Sequence, residues 1–370
     1  MLRLIVVIVF FSFVSLFFTL VTIAPEARRH DIVSVNSSFV SEGTVTVTPY
    51  QKLASFALRL FLKLAPDIRL PIYEDDTDYI EMFTRLYKNY TDNQGKHIVT
   101  LADLVPKVAI NRVVMLTFTD SSYLESFYAS YVVSKLDQYS NFIVVAVDMN
   151  AYITLSKQGY PVAYFESLLP ENLTCSESSF GSNQFHLKMA NKMQIIRQVI
   201  LLDHSVLLFD SDVVLFRDPI PTILAYQNYD LIAQKDEGIC AGFIFFRPTL
   251  QSLQFIDLVL QYQQRWVMSD QPVMEILRQM HVRPSLRWTL LPQNTFSSGS
   301  VFFESHQFYW DAIDANQVIM HNNYVIGYTN KIYRLKEMKM YPLDVNGEYS
   351  SNTARYLVLD SVSCGFANPI

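Results

Sequence analysis

From about Val105 onward, short β-branched runs alternate with stretches of helix length, an order that a sheet with crossover helices accommodates. Val113 to Thr117 reads as a strand, Tyr123 to Leu136 as a helix and Phe142 to Val147 as a second strand. Gln184 to Leu202 reads as a long helix, Val206 to Phe209 and Ile239 to Phe246 as further strands, and Leu250 to about Trp266 as another helix. The chain is therefore read as α/β. Half of its 370 residues are hydrophobic and 17% are charged, enough for one large core or two modest ones. The formal charge of −6 leaves no electrostatic footprint for nucleic acid, so no such partner is expected.

The N-terminus suggests a compartment. Leu4 to Ala24 carries no charge and is long enough to span a bilayer. A cleaved signal peptide has a shorter apolar core and a small-residue cleavage site, which Pro25 spoils, so an uncleaved signal-anchor is expected. The sequons at Asn36, Asn89 and Asn172 all follow it, as in a body facing the secretory lumen. Cys175, Cys240 and Cys364 are too few and too scattered for a disulfide framework or a structural zinc site. One bridge with one free thiol stays open. Residues 25 to about 50 read as a stem, and Gln51 to Leu64 as an amphipathic helix ended by Pro66 and Pro71.

The chemistry concentrates where an apolar run meets carboxylates. Val206 to Phe209 ends on Asp210-Ser211-Asp212, and in open α/β sheets ligands sit at the carboxyl ends of strands. Two adjacent carboxylates stay ionised together at low cost when a cation lies between them, and oxygen-rich ligation suits Mg²⁺ or Mn²⁺ holding a diphosphate. A bare Asp-x-Asp is weak, and Asp76-Thr77-Asp78 is a second copy in this chain. That copy lies in a polar stretch, whereas Asp210 and Asp212 interrupt an apolar run from Val206 to Phe216. The plain alternative is a turn between two strands, closed by Asp218-Pro219.

The stretch from Lys192 through LLFDSDVVLFRDP, Leu207 to Pro219, resembles the nucleotide-diphospho-sugar transferase domain of glycosyltransferase family 77 and, more distantly, family 8. That resemblance covers roughly Val113 to Glu337 and implies the GT-A fold, a Rossmann-like, mostly parallel mixed sheet flanked by helices. With the anchor it implies four parts: 1–24 the transmembrane helix, 25–104 the stem and helical N-terminal region, 105–345 the transferase domain and 346–370 a tail. It assigns Asp210 and Asp212 to the metal and Lys192 to the donor site. Ile239 to Thr249 resembles the strand lining the sugar pocket, with Gly242 in place but Cys240 where family 8 has Asn. Asp270-Gln271 resembles the pair facing donor sugar and acceptor, although Asp270 ahead of Pro272 is also good helix-start chemistry.

His321 to Lys331 resembles a longer form of the H-x-x-G-x-x-K element of family 8, in which the His is the third metal ligand and the Lys meets the diphosphate. Neutral imidazole is a competent Mn²⁺ ligand, Gly327 would let backbone approach phosphate, and Lys331 supplies a point charge. Leu116 to Asp120 at the first strand, Thr117 among them, and Asp148 ending the second occupy the nucleoside side, although capping of the Tyr123 helix by Asp120 or Ser121 is the simpler account of the carboxylates. The resemblance implies a Golgi type II membrane enzyme moving a sugar, with retention, from a nucleotide-diphosphate donor to a glycan or glycoprotein hydroxyl. Two rivals remain: a glycan- or nucleotide-binding protein that kept the fold and lost catalysis, and a hydrolase with paired carboxylates. Neither donor sugar nor acceptor is named by the sequence. Trp266, Trp288 and Trp310 could stack on sugars, with core packing the simpler role.

Overall fold

In the computed structural model, residues 90–91, 97–167, 169, 178, 181–279, 286–305, 316–338 and 340–341 are described. The expected anchor, stem, Gln51–Leu64 helix, second Asp-x-Asp, C-terminal tail, the asparagines of the three sequons, Cys175, Cys364 and Trp310 lie outside them. Among the described residues no helix is long and apolar enough to cross a membrane.

Among the described residues, seven strands form the main sheet, in the order β10-β8-β9-β6-β3-β4-β5. They are β3 (Val113–Thr119), β4 (Phe142–Ala146), β5 (Val162–Tyr164), β6 (Ser205–Phe209), β8 (Leu231–Lys235), β9 (Ile239–Phe246) and β10 (Trp288–Leu291). β3, β4, β5 and β6 run parallel, β9 is antiparallel to both neighbours, and β10 pairs parallel with β8. The α/β expectation holds as a mixed, mostly parallel sheet. Two further short strands, β1 (Tyr90–Thr91) and β2 (His97–Ile98), pair with each other.

The central strands β3, β4, β6 and β9 are buried on both faces, so they are mostly apolar along their length. Val114, Leu116, Ile143, Val145, Val206 and Leu208 point to one side. There they meet α1 (Leu101–Val108), α4 (Asn183–Leu201), α6 (Leu250–Trp266) and α7 (Asp270–Gln279) through residues such as Met193, Ile196, Phe255 and Met274. Met115, Phe142, Val144, Leu207 and Phe209 point to the other. There they meet α2 (Leu124–Val133) and α3 (Met149–Lys157) through Phe127, Tyr128, Tyr131 and Leu155. The expected helix from Tyr123 to Leu136 is shorter because its ends are spoken for. Asp120 accepts from Ser122 N and starts a 3₁₀ turn at Ser121–Tyr123, and Lys135 takes left-handed backbone, φ 51°, just past the helix.

After β3 and β4 the chain crosses on one face and extends the sheet away from β3; after β5 it crosses on the other and returns to β3's free side as β6. The strand order thus reverses between β3 and β6, and a crevice at the carboxyl ends is the expected ligand position. Over it lies a second sheet, β11 (Phe296–Ser297), β12 (Ile319–His321) and β7 (Val213–Leu215), in the order β11-β12-β7. In its antiparallel half, His321 pairs with Val213, Met320 with Val214 and Ile319 with Leu215. Two helices, α8 (Gly299–Ser305) and α9 (Tyr328–Glu337), accompany it, with Phe302, Ile332 and Leu335 packed around Met320 and Val214. A short helix, α5 (Ile220–Ala225), follows β7.

Candidate active site at the switch point

Asp210 follows β6 directly, Asp212 immediately precedes β7, and His321 ends β12. The pairing of β7 with β12 therefore sets the imidazole beside the second carboxylate, an arrangement tied down by Asn322 N donating to the Asp212 carbonyl at 3.0 Å. One ligand atom from each of Asp210, Asp212 and His321 lies within 4.8 Å of the others. Asp212 and His321 are buried and Asp210 is half-buried.

Gly242 makes room for this trio. Ala233 of β8 pairs with Ile244 and the next residue, Gln234, with Cys240, so Ala241, Gly242 and Phe243 form a bulge in β9. The bulge carries Gly242 against the site, where its carbonyl accepts from Asp210 N at 2.9 Å. A Cβ at Gly242 would stand 2.2 Å from His321 Cε1 and 2.8 Å from Asp210 Oδ2. Two carboxylates and an imidazole around a cradle without a side chain fit a hard, oxygen-preferring cation such as Mn²⁺ or Mg²⁺.

Cationic side chains flank the acids. Lys331 Nζ is 2.6 Å from Asp212 Oδ2, and His321 Nε2 is 3.4 Å from Asp212 Oδ1. Burial would raise the Asp212 carboxyl, but Lys331 and His321 overcome that and hold it well below the carboxylate range. Burial likewise opposes the His321 imidazolium, yet Asp212 and the Cys240 sulfur push it up to about 10. On the other side, buried Lys192 reaches Asp210 Oδ1 at 2.8 Å and Asp270 Oδ2 at 3.4 Å. Burial works against the Lys192 ammonium, while Asp210 and Asp270 outweigh it and raise its pKa. For Asp270 burial dominates and raises the carboxyl, with Lys192 offsetting part and Asp210 adding to the rise.

These contacts bring Lys192, Asp210, Asp212, Gly242, Asp270, His321 and Lys331 into one connected group. Gln271 joins it: its Oε1 accepts from Ala241 N at 3.2 Å and its Nε2 faces Asp236 Oδ2 at 3.5 Å. Asp270 is the first residue of α7 and buried, so the helix-start reading and a place in the site coexist. Gly327 precedes α9 at φ 91°, a backbone that favours glycine, and a Cβ there would stand 3.7 Å from Asn330 Nδ2. Thr117 lies on β3, its buried hydroxyl lacking a hydrogen-bond partner among the described residues.

Asp148 is more fully committed to the fold. It caps α3 by accepting from Ala151 N at 2.8 Å, and it takes the Ser121 hydroxyl at 2.6 Å and the Ser121 N–H at 2.7 Å. Of the tryptophans, Trp288 sits in β10 with the Arg278 guanidinium 4.7 Å from its ring centre, and Trp266 packs on Tyr262 with 4.3 Å between ring centres.

Three features escaped the sequence. Gln234 contacts His321 Nδ1 at 3.0 Å; Asp120 and Lys188 form a buried ion pair at 2.7 Å; and the Tyr324 hydroxyl donates to Asp236. The sequence marks Asp120 as the cap it also provides, and a glutamine inside an apolar strand is itself a signal that a polar partner waits nearby.

The family model described as nucleotide-diphospho-sugar transferase matches residues 138–335. Beta-arabinofuranosyltransferase RAY1 of Arabidopsis thaliana is 29% identical over 184 residues, covering 46% of this chain and 34% of that protein. A UDP-D-xylose:L-fucose alpha-1,3-D-xylosyltransferase of the same plant is 27% identical over 280 residues, 66% of this chain and 73% of its own length. The chain thus matches about a third of the first relative and nearly three quarters of the second. The apo structure of the WbbM bifunctional glycosyltransferase gives a TM-score of 0.40 at 13% identity, over 79% of this chain and 64% of that one, a likeness too slight to bear on fold or activity. With the family model spanning more than half of its residues, the chain belongs to the nucleotide-diphospho-sugar transferase family.

Proposed function

We propose that the protein is a metal-dependent glycosyltransferase of the GT-A fold. It would take a sugar from a nucleotide-diphosphate donor and pass it to a glycan or glycoprotein hydroxyl with retention. The observation that carries this reading is the convergence of Asp210, Asp212 and His321 on one point at the switch crevice of the family's domain. In the same reading, residues 1–24 anchor the chain in the Golgi membrane, 25–104 form the stem and helical N-terminal region, 105–345 the lumenal transferase domain and 346–370 the tail.

Asp210, Asp212 and His321 would hold Mn²⁺ or Mg²⁺, which when bound supplies positive charge to the leaving diphosphate. Lys331, beside Asp212 and partly open to solvent, adds a fixed ammonium for the same oxygens, and Gly327 supplies the positive-φ backbone ahead of α9. Thr117, two residues before the end of β3, and Asp148, two residues past β4, would border the nucleoside. Gly242, Asp270 and Gln271 would border the transferred sugar, with Lys192 holding Asp210 and Asp270 at a set spacing. Burial of these groups keeps water from the anomeric carbon, so that transfer outcompetes hydrolysis.

Relatives indicate which substrates to try first. One is named for UDP-D-xylose and L-fucose, and a Dictyostelium discoideum relative for UDP-galactose and fucosides. The test is release of nucleoside diphosphate from UDP-xylose and UDP-galactose, with fucoside acceptors, with and without Mn²⁺, on wild type and Asp212→Ala. Turnover that needs the metal and vanishes in the variant supports the reading. Metal-independent turnover, or full activity in the variant, overturns it; nucleotide binding without turnover on any donor points to a binding protein.

A further inference from the structure

We propose that Gln234 is a positioning residue for the metal site, fixing the His321 imidazole in the tautomer whose Nε2 is free to hold a cation. The proposal rests on the metal reading above and concerns a residue outside the cation's reach.

Gln234 is fully buried in β8, at the step where the register with β9 shifts. A buried amide is costly unless both of its ends are satisfied. Both ends are: Nε2 donates to the Phe296 carbonyl at 3.2 Å, and Oε1 faces His321 Nδ1 at 3.0 Å. The Phe296 carbonyl can only accept, so the NH₂ must turn toward it. Oε1 is then left facing His321, and an amide oxygen can only accept. The proton therefore sits on Nδ1, and in the neutral ring the lone pair is on Nε2, the nitrogen 3.4 Å from Asp212 Oδ1. Cys240 Sγ, 3.4 Å from the same Nδ1, is a weak second acceptor; a thiol donating there instead would set a lone pair against the amide oxygen.

Without Gln234 the opposite tautomer becomes competitive, because an Nε2–H can donate to Asp212. That state occupies the nitrogen a cation needs and ties up its carboxylate neighbour. Groups that orient a metal-bound histidine in this way typically govern 10- to 100-fold in metal affinity. The link also runs between sheets, since Gln234 belongs to the main sheet while Phe296 and His321 belong to the smaller one.

The test compares Mn²⁺ affinity, read as loss of the free-ion electron paramagnetic resonance signal, in wild type, Gln234→Met and Gln234→Glu. Methionine keeps the length and removes the acceptor; glutamate keeps an acceptor for Nδ1–H. The expected result is a loss of about 10- to 100-fold in Gln234→Met with substantial recovery in Gln234→Glu. Equal affinity in wild type and Gln234→Met overturns the role of Gln234 alone. Failure of wild type to bind Mn²⁺, with or without UDP, overturns the metal reading and this inference together. Should Gln234→Met not fold, wild type decides: with ¹⁵N-labelled histidine and Cd²⁺, the proton must lie on Nδ1 of His321 and the metal on Nε2. The reverse assignment overturns the proposal.

Discussion

Gly242 and His321 are packed so closely that a single methyl group on the glycine would overlap Cε1 of the imidazole, at 2.2 Å. His321 is buried and held through Nδ1, so it has little room to retreat. Overpacking of this kind costs about 1–3 kcal/mol, and here it falls on a proposed ligand. Gly242→Ala is expected to weaken Mn²⁺ binding by roughly one to two orders of magnitude while the metal-free protein still folds. Metal titration beside thermal melting separates the two effects, and unchanged affinity would show that the imidazole does not bind the cation in this position.

Lys192 is the counterpart on the other side of the site. Its ammonium lies between Asp210 and Asp270, and removing one partner of a buried ion pair costs about 3–5 kcal/mol because the remaining charge is stranded. Lys192→Met should therefore lower stability by about that much, measured by urea unfolding. Lys192→Met with Asp270→Asn should recover part of the loss, since the second change removes one stranded carboxylate. A double variant no more stable than the single one would mean that the pair is not coupled.

Lys331 gives a prediction in which binding and turnover part company. With no cation at the site, its ammonium neutralises Asp212 at 2.6 Å, so it competes with any dication for that carboxylate. Lys331→Ala should bind Mn²⁺ alone as tightly as wild type or more so. Donor turnover should nonetheless fall by about 100- to 1,000-fold, the usual effect of losing one fixed donor to a developing oxyanion. Parallel losses in both measurements would assign Lys331 to the fold instead.

Acidity offers a further check. In the metal-free protein His321 is raised from 6.5 to about 10, so between those values the folded chain keeps a proton that the unfolded chain has released. The stabilisation from His321 is thus fully present below about pH 6.5 and is lost as pH rises through about 10. A cation needs the neutral ring, so its binding must expel that proton. Mn²⁺ affinity should accordingly rise, by up to about tenfold per pH unit, from pH 6.5 to 8.5. Affinity independent of pH across that interval would remove His321 from the ligand set.

Much of the main sheet was legible because β3, β4, β6 and β9 are buried on both faces, which makes their apolar runs continuous. Ile239–Phe246 and Leu250–Trp266 match the expected bounds. β8 and β10 were not foreseen, since Leu231–Lys235 mixes polar and apolar residues and Trp288–Leu291 is a four-residue edge strand. The small sheet was hidden for another reason: its strands have two or three residues each and exist through pairing across distant parts of the chain. Asp210, Asp212 and His321 could be named as ligands from their place after apolar runs and from the resemblance. What brings them together could not. Gly242 was expected at the sugar and also stands against His321, and Gln234 carried no mark until its amide was seen between Phe296 and His321.

Pairing of β7 with β12 has a consequence for biosynthesis. The two carboxylates leave the ribosome well before the imidazole does, and long-range strand pairing is a slow step in folding. A partly made chain can bury the core around β3, β4 and β6 yet hold only an incomplete ligand set. Competence for the cation would therefore wait for β12, about a hundred residues after Asp212, and a product truncated before it could fold much of its interior while staying inert toward donor.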